Sequence, residues 1–362
     1  MRIAEITPPW VRVPPERYGG IEWIVSMLAD GLVERGHDVT LYATGDSRTN
    51  ARLRAPFEQP VSMGGKSFYD LVHPIGIQTV SAFLEADQYD VIHDHTGPMA
   101  ACLGAFSDTP VLHTLHGPFN PDVRQFFLTI ADKIYFNSIS DSQRSDCPEL
   151  NYVGTIYNAV EVETFPFCSE KGDYALFFGR FSEDKGAHNA IYIAQQSNIP
   201  LHMAGKVDSG VDAHYFEERI KPYIDGENVV YEGEVDSRRK LELLAGARFL
   251  LFPIQWEEPF GLVMAEALAC GTPVVAAAMG AASEIVKDGE VGVLAGAGEW
   301  DEMVAAIKGG RLEDIDPYRC REYVHERFSV EAMLDGYEAA FEEIVLNSRA
   351  PRIRENAVLR SN

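Results

Sequence analysis

The chain of 362 residues is longer than a single hydrophobic core usually grows, so two domains with a ligand-binding cleft between them are expected. Apolar residues make up 46% and aromatic residues 10% of it, which excludes a mostly disordered chain. A formal charge of −24 opposes sequence-independent binding to nucleic acid or to an anionic bilayer, yet leaves room for an anionic substrate held by a few focused cations.

The opening segment "MRIAEITPPWVRVPP" carries too short an apolar stretch for a signal peptide, and no apolar run reaches the roughly 20 residues of a membrane span. Five cysteines (Cys102, Cys147, Cys168, Cys270, Cys320) are odd in number and scattered, without paired metal-ligand spacing, so a reducing cytoplasm is the expected home.

Taken in order, "RIAEI" reads as a buried strand, followed by a Pro-rich loop that ends in Gly19 and Gly20. Ile21, Ile24, Val25, Leu28 and Leu32 then share one helix face, and Gly36 stops the helix. "HDVTLYAT", "YDVIHDH", "TPVLHTLHG", "DKIYFNSIS" and "YVGTIYNAV" follow as strands alternating with helical segments, the pattern of a doubly wound parallel sheet. After the connection "NAVEVETFPF" a second series runs "YALFFGR", "PLHMAGKV", "NVVYEGEV", "RFLLFPI", "TPVVAAA" and "VGVLAG", with helical stretches such as "SRRKLELLAGA" between them. The expected α/β organisation is therefore two Rossmann-like domains, residues 1–160 and 161–329. Met333, Leu334, Tyr337, Phe341 and Ile344 mark a helix over about 330–346 that packs back onto the first domain, and a frayed tail follows over 347–362.

Gly19 and Gly20 lie between the first strand and the first helix, where a backbone without Cβ atoms can approach a phosphate at a helix N-terminus; a plain turn would use the same residues. In "FFGRFSEDKG" Arg180 and Lys185 follow a strand end, and a forked guanidinium beside an ammonium suits a diphosphate. The alternative is a solvated loop in which both pair with Glu183 and Asp184.

"WEEPFGLVMAEALAC" places Glu258 in the loop leaving a buried strand and Glu266 about one turn into the next helix, with the N–H groups of Phe260, Gly261, Leu262 and Val263 between them. That arrangement fits a nucleotide sugar: phosphates on the N–H groups, ribose on Glu266, sugar hydroxyls on Glu258. In the bland reading Glu258 caps the helix and Glu266 faces solvent, although Glu266 is flanked by Met264, Ala265, Ala267 and Leu268. His93, Asp94, His95, His113 and His116 gather at neighbouring strand ends, a composition a metal site would also show.

In order, "YGGIE", "HTLHG", "YNAVEVETF", "GRFSEDKG" and "EPFGLVMAEALACGTPVV" resemble the signature of retaining glycosyltransferases of the GT-B fold, family-four group, over nearly the whole chain. The family usually has a glycine after the asparagine of "NAVEVETF" and an aspartate after its valine, and this chain departs there. The resemblance implies two Rossmann-like domains with a deep cleft, Glu266 on the ribose, Glu258 on the donor sugar, and Arg180 and Lys185 on the diphosphate. It further implies backbone groups near Lys206 and Val235 on the base, and His116 at the donor sugar or reaction centre. His95 is expected to line the acceptor side.

The implied reaction is sugar transfer from a nucleoside diphosphate to a hydroxyl with retention, without cofactor or metal, and with UDP-glucose as first candidate donor. A glycoside hydrolase would need both carboxylates at one anomeric carbon and would leave the phosphate-binding residues without a role. A nucleotide-sugar epimerase of the same architecture and a non-catalytic nucleotide-binding module are the remaining alternatives. A soluble acceptor, small or oligomeric, is expected, and no stable membrane association. The first helix carries Glu22, Asp30 and Glu34 against Arg35, and the basic residues of the tail are four separated arginines, Arg349, Arg352, Arg354 and Arg360.

Overall fold

Short apolar strands alternate with amphipathic helices throughout the computed structural model, which describes residues 1–16, 19–62 and 68–349. In the first half β1 (Arg2–Ile6), β2 (Asp38–Tyr42), β3 (Arg52–Arg54), β4 (Val91–Asp94), β5 (Val111–Thr114), β6 (Tyr135–Ser138) and β7 (Tyr152–Thr155) form a sheet ordered β3-β2-β1-β4-β5-β6-β7. Helices α1 (Gly20–Glu34), α2 (Phe68–Phe83), α3 (Pro98–Gly104), α4 (Pro121–Thr129) and α5 (Asp141–Ser145) lie between them in the chain. The second half contains β8 (Ala175–Phe178), β9 (Leu201–Ala204), β10 (Val229–Gly233), β11 (Phe249–Phe252), β12 (Val274–Ala277) and β13 (Gly292–Ala295), ordered β10-β9-β8-β11-β12-β13. Its helices are α6 (Ala187–Ser197), α7 (Val211–Tyr215), α8 (Ser237–Gly246), α9 (Leu262–Ala269), α10 (Ala282–Ile285), α11 (Trp300–Lys308) and α12 (Pro317–Phe328), and α13 (Val330–Arg349) closes the described chain.

Every neighbouring pair in both sheets is parallel, so the order of each sheet reverses once, between β1 and β4 in the first and between β8 and β11 in the second. Loops leaving the C-terminal ends of these strands diverge and open the crevices in which doubly wound folds bind ligands. β4, β5, β11 and β12 are buried along their whole length, as expected of strands covered on both faces. β3 is the strand that the reading of the sequence did not contain: three residues, Arg-Leu-Arg, on a sheet edge with both arginines exposed.

One face of the first sheet is covered by α1 and α13, where Ile24, Leu28, Leu334, Tyr337 and Phe341 meet Ile3, Val91 and Leu112. The opposite face packs Ile6, Ile92 and Phe136 against Phe127 of α4. Each large side chain fully buried in this way contributes about 1.5–3 kcal/mol. The apolar stripe of α13 thereby returns the end of the chain to the first sheet, and Arg35 and His37 bind Glu338 at its rim. The frayed tail expected over 347–362 lies outside the described residues from 350 onward, and residues 347–349 belong to α13 instead.

Contacts beside the crevice set the halves against each other. Leu262, at the start of α9, packs against the cores of both. Glu284 of α10 accepts the N–H groups of Asp141 (2.8 Å) and Ser142 (2.7 Å) at the start of α5, and the Tyr157 hydroxyl at 2.9 Å. A carboxylate there satisfies orphan donors of a helix N-terminus and complements its dipole.

Candidate functional site

The reversal of the second sheet brings the loop after β8, which carries Arg180 and Lys185, beside the loop after β11, which carries Glu258. Lys185 Nζ forms a direct ion pair with Glu258 Oε2, and the same oxygen accepts the Trp256 Nε1–H at 3.1 Å. The ammonium also lies 4.6 Å from the centroid of the Trp256 ring. The pairing of Lys185 with Glu183 or Asp184, left open by the sequence, is therefore not the one formed. Arg180 stands 3.7 Å from both Asp184 and Asp212, too far for tight ion-pair hydrogen bonds, and opens onto a cavity of about 550 Å³ lined also by Ser182 and Gln255.

Neither glutamate follows the bland reading. Gly261, at φ +85°, starts α9 with no side-chain cap, so Glu258 does not cap the helix. Glu258 is instead 8% exposed, and its loop is fastened from below, with Ala281 N–H donating to the Glu258 carbonyl at 2.8 Å and Gly280 N–H to Glu257 at 2.6 Å. Gly280, at φ +55°, lies so close that a Cβ built on it would stand 2.3 Å from the Glu258 nitrogen. Glu266 does not face solvent: Lys240 Nζ binds its Oε1 at 2.5 Å and lies 5.4 Å from the Phe178 ring centroid. Each carboxylate thus has one lysine partner, which meets the cost of burying its charge.

The start of α1 faces the start of α9. Both helices begin without a side-chain cap, and a Cβ built on Gly20 would lie 3.4 Å from Leu262 Cδ1. Two positive dipole ends therefore converge at the junction of the halves, and the start of α9 in particular offers N–H groups to an anion. Phe260 is buried beneath, and Leu262 and Val263 carry the first N–H groups of α9. Gly19 is likewise crowded, its missing Cβ falling 3.0 Å from Glu22 Oε2. Glu22 is 6% exposed, and burial pushes its carboxyl up to about 7. Lys206 and Val235 follow β9 and β10 at the same sheet edge as Arg180; the Lys206 carbonyl accepts the Phe181 N–H at 2.9 Å, and Lys206 Nζ binds Asp208 at 2.6 Å.

The histidines divide between the two faces of the first sheet, because successive side chains of a strand point to opposite sides. Asp94 and His113, paired in register on β4 and β5, face the α4 side and bond to each other at 2.5 Å. His93 and His95 share the other face with Glu5 of β1, Thr114 of β5 and Asn137 of β6. His116 stacks on His95 there, its Nε2 lying 2.8 Å from His95 Nδ1. His95, expected to line the acceptor side, is instead 3% exposed, held between Glu5 and His116, while His116 keeps part of its surface open. Among the described residues Glu5, His93 and His95 form the one group of potential metal ligands, with donor atoms all within 4.8 Å. Hydrogen bonds among themselves occupy the facing atoms.

Glu5, Asp212, Lys240 and Trp256 were not singled out from the sequence. A signal existed for Glu5, since an acidic residue inside the buried strand "RIAEI" demands a partner. None existed for Lys240 or Asp212, which lie 26 and 32 residues from Glu266 and Arg180.

The family model described as "Glycosyltransferase Family 4" matches residues 18–147, and the one described as "Glycosyl transferases group 1" matches residues 165–326. The chain is 25% identical over 352 residues to the phosphatidyl-myo-inositol mannosyltransferase of Mycobacterium leprae, covering 87% of this chain and 89% of that protein. AviGT4, a glycosyltransferase involved in avilamycin A biosynthesis, superposes with a TM-score of 0.72 at 26% identity over 96% of this chain and 98% of its own. HepE of Anabaena, solved in complex with UDP and glucose, superposes with a TM-score of 0.73 at 19% identity over 95% and 100% of the two chains.

Proposed function

The chain belongs to the GT-B glycosyltransferases of the family-four type, and from that membership we propose that it moves a hexose from a nucleoside-diphosphate sugar to a hydroxyl of a soluble acceptor, with retention and without a metal ion. UDP-glucose is the first candidate donor, a choice supported by the ligands of the HepE complex. The mannosyltransferase relative makes GDP-mannose its main competitor.

One observation carries this reading: Lys185 and Glu258 meet where the second sheet reverses, beside the uncapped start of α9. Arg180 and Lys185, each facing carboxylates in the free protein, and the uncapped start of α9 are the groups offered to a diphosphate there. A departing diphosphate held there has its charge neutralised by the protein, the work a divalent ion would otherwise do. Glu258 then receives hydroxyls of the donor sugar, Glu266 the ribose hydroxyls, and His116 approaches the sugar from the first domain. The bond from the anomeric carbon to the diphosphate oxygen breaks, the bond to the acceptor oxygen forms on the same face through a short-lived oxocarbenium-like ion pair, and the acceptor's hydroxyl proton passes to the departing diphosphate.

The test is a thermal-shift screen of UDP-glucose, GDP-mannose and UDP-N-acetylglucosamine, followed by mass spectrometry and anomeric NMR of products made by protein dialysed exhaustively against EDTA. Transfer with retention after dialysis is expected. Activity abolished by EDTA and restored by one divalent ion would refute metal independence; an inverted product would refute retention; no nucleotide sugar bound or consumed would refute the assignment of the cleft.

A further inference from the structure

We propose that Glu5 and His95 are positioning residues for the reaction, holding the His116 ring as its Nε2–H tautomer so that a bare Nδ1 is presented as acceptor to a sugar hydroxyl. This rests on the placing of His116 at the donor sugar under the proposed function.

The hydrogen bonds form one line across four strands. Tyr337 of α13 stands 3.2 Å from Thr114 Oγ1, Thr114 donates to Asn137 Oδ1 at 2.6 Å, and Thr114 Oγ1 is 2.7 Å from His93 Nε2. His93 Nδ1 then meets the Glu5 carboxyl, 3.2 Å from Oε1 and 3.0 Å from Oε2, Glu5 Oε2 also meets His95 Nε2 at 3.1 Å, and His95 Nδ1 meets His116 Nε2 at 2.8 Å. Among the described residues nothing bonds His116 Nδ1.

Each neutral imidazole has one donor and one acceptor nitrogen, so a proton fixed at one end of the line fixes the rest. Thr114 has a single proton, which goes to Asn137; His93 Nε2 must therefore carry the hydrogen toward Thr114, leaving His93 Nδ1 bare. Glu5 answers by donating its carboxyl proton to His93 Nδ1, and its Oε2 accepts the Nε2–H of His95. An ionised Glu5 accepts from His95 in the same way. In both cases His95 Nδ1 is bare, His116 Nε2 supplies the hydrogen between the two rings, and His116 Nδ1 is an acceptor. Burial favours this neutral network, since Glu5 and His93 are 0% and His95 3% exposed. The packing of His93 against Tyr337 and Phe341 holds the far end in place.

The experiment is nitrogen-15 NMR of histidine-labelled full-length protein, with His116→Ala used for assignment, alongside kinetics of transfer. In the wild type His116 should show a protonated Nε2 and a bare Nδ1. Glu5→Leu, which removes the acceptor opposite His95, should give mixed tautomers at His116 and lower kcat about 10- to 100-fold with donor KM changed less than about threefold. Glu5→Gln, which keeps an oxygen for His95, should retain the Nε2–H tautomer and fall between wild type and Glu5→Leu in kcat. A protonated Nδ1 in the wild type, measurable whether or not Glu5→Leu folds, or a folded Glu5→Leu with wild-type kcat, would overturn the proposal. Unimpaired transfer by His116→Ala would instead refute the placing of His116 on which it rests.

Discussion

Replacing Glu258 by glutamine is expected to tighten nucleoside diphosphate binding while removing most of the turnover. In the free protein Lys185 is in direct contact with Glu258, and the two side chains are only 21% and 10% exposed. A diphosphate must draw the ammonium off this carboxylate, so a charge-assisted contact of about 1.5–3 kcal/mol is exchanged for another instead of being added. The carboxylate also opposes the incoming anion: two like charges about 6 Å apart at an effective dielectric of about 20 repel by roughly 3 kcal/mol before solvent relaxation. Glutamine keeps an oxygen for Trp256 Nε1–H and the volume of the side chain, but frees Lys185 and removes the repulsion. After screening, a gain of about 1 kcal/mol is expected, about fivefold in Kd. Lys185→Ala should weaken binding about tenfold, and the advantage of glutamine should shrink in the double variant because no lysine remains to be released. Isothermal titration of the four proteins with UDP, and with GDP in parallel, measures each term. Binding by Glu258→Gln that is no tighter than wild type, or a double-mutant cycle without coupling, would refute the exchange.

Glu266→Ala should weaken nucleotide binding by about 1.5–3 kcal/mol with a smaller effect on turnover at saturation, the opposite split to Glu258→Gln, as steady-state kinetics with varied donor would show. Gly280→Ala should lower both the thermal midpoint and kcat, because its Cβ would fall 2.3 Å and 2.4 Å from the backbone nitrogen and oxygen of Glu258 at a φ of +55°; the cost is about 2–4 kcal/mol, and wild-type activity would show that this loop does not set the position of Glu258. The carboxyl of Glu22, raised by burial from 4.5 to about 7, holds a proton in the folded chain that the unfolded chain has released. Its contribution to stability is present below about pH 4.5 and lost as pH rises through about 7, a change of about 3 kcal/mol at about 1.4 kcal/mol per pH unit. Glu22→Gln should thus gain stability relative to wild type between pH 5 and 8 in denaturant titrations, and a pH-independent difference would contradict this.

Much of the architecture was legible because it depends on local chemistry. Apolar runs such as "RFLLFPI" and "TPVVAAA" between turn signals read as strands buried on both faces, and the spacing of Ile24, Val25, Leu28 and Leu32 reads as one face of a helix. Glycine pairs and loops at strand ends located the candidate site for the same reason: in a doubly wound fold those ends face the crevice. β3 escaped because three residues with two exposed arginines carry no apolar pattern; pairing with β2 alone makes them a strand. The partners of the charged groups lay outside local reach. "HDH" and "HTLH" read as one cluster, but alternation of side chains splits them between two faces, and only the parallel register of β1 on β4 sets Glu5 beside His93. Lys185 could have paired with its neighbours Glu183 and Asp184; it reaches Glu258, 73 residues away, because the reversal of the sheet between β8 and β11 brings their loops together in a partly buried site. Sequence thus determined which groups are present and at which strand end each stands, since propensity and periodicity act over a few residues. Tertiary structure decided which groups neutralise one another, because a buried charge is satisfied by whatever the packing brings within hydrogen-bond distance, at any separation along the chain.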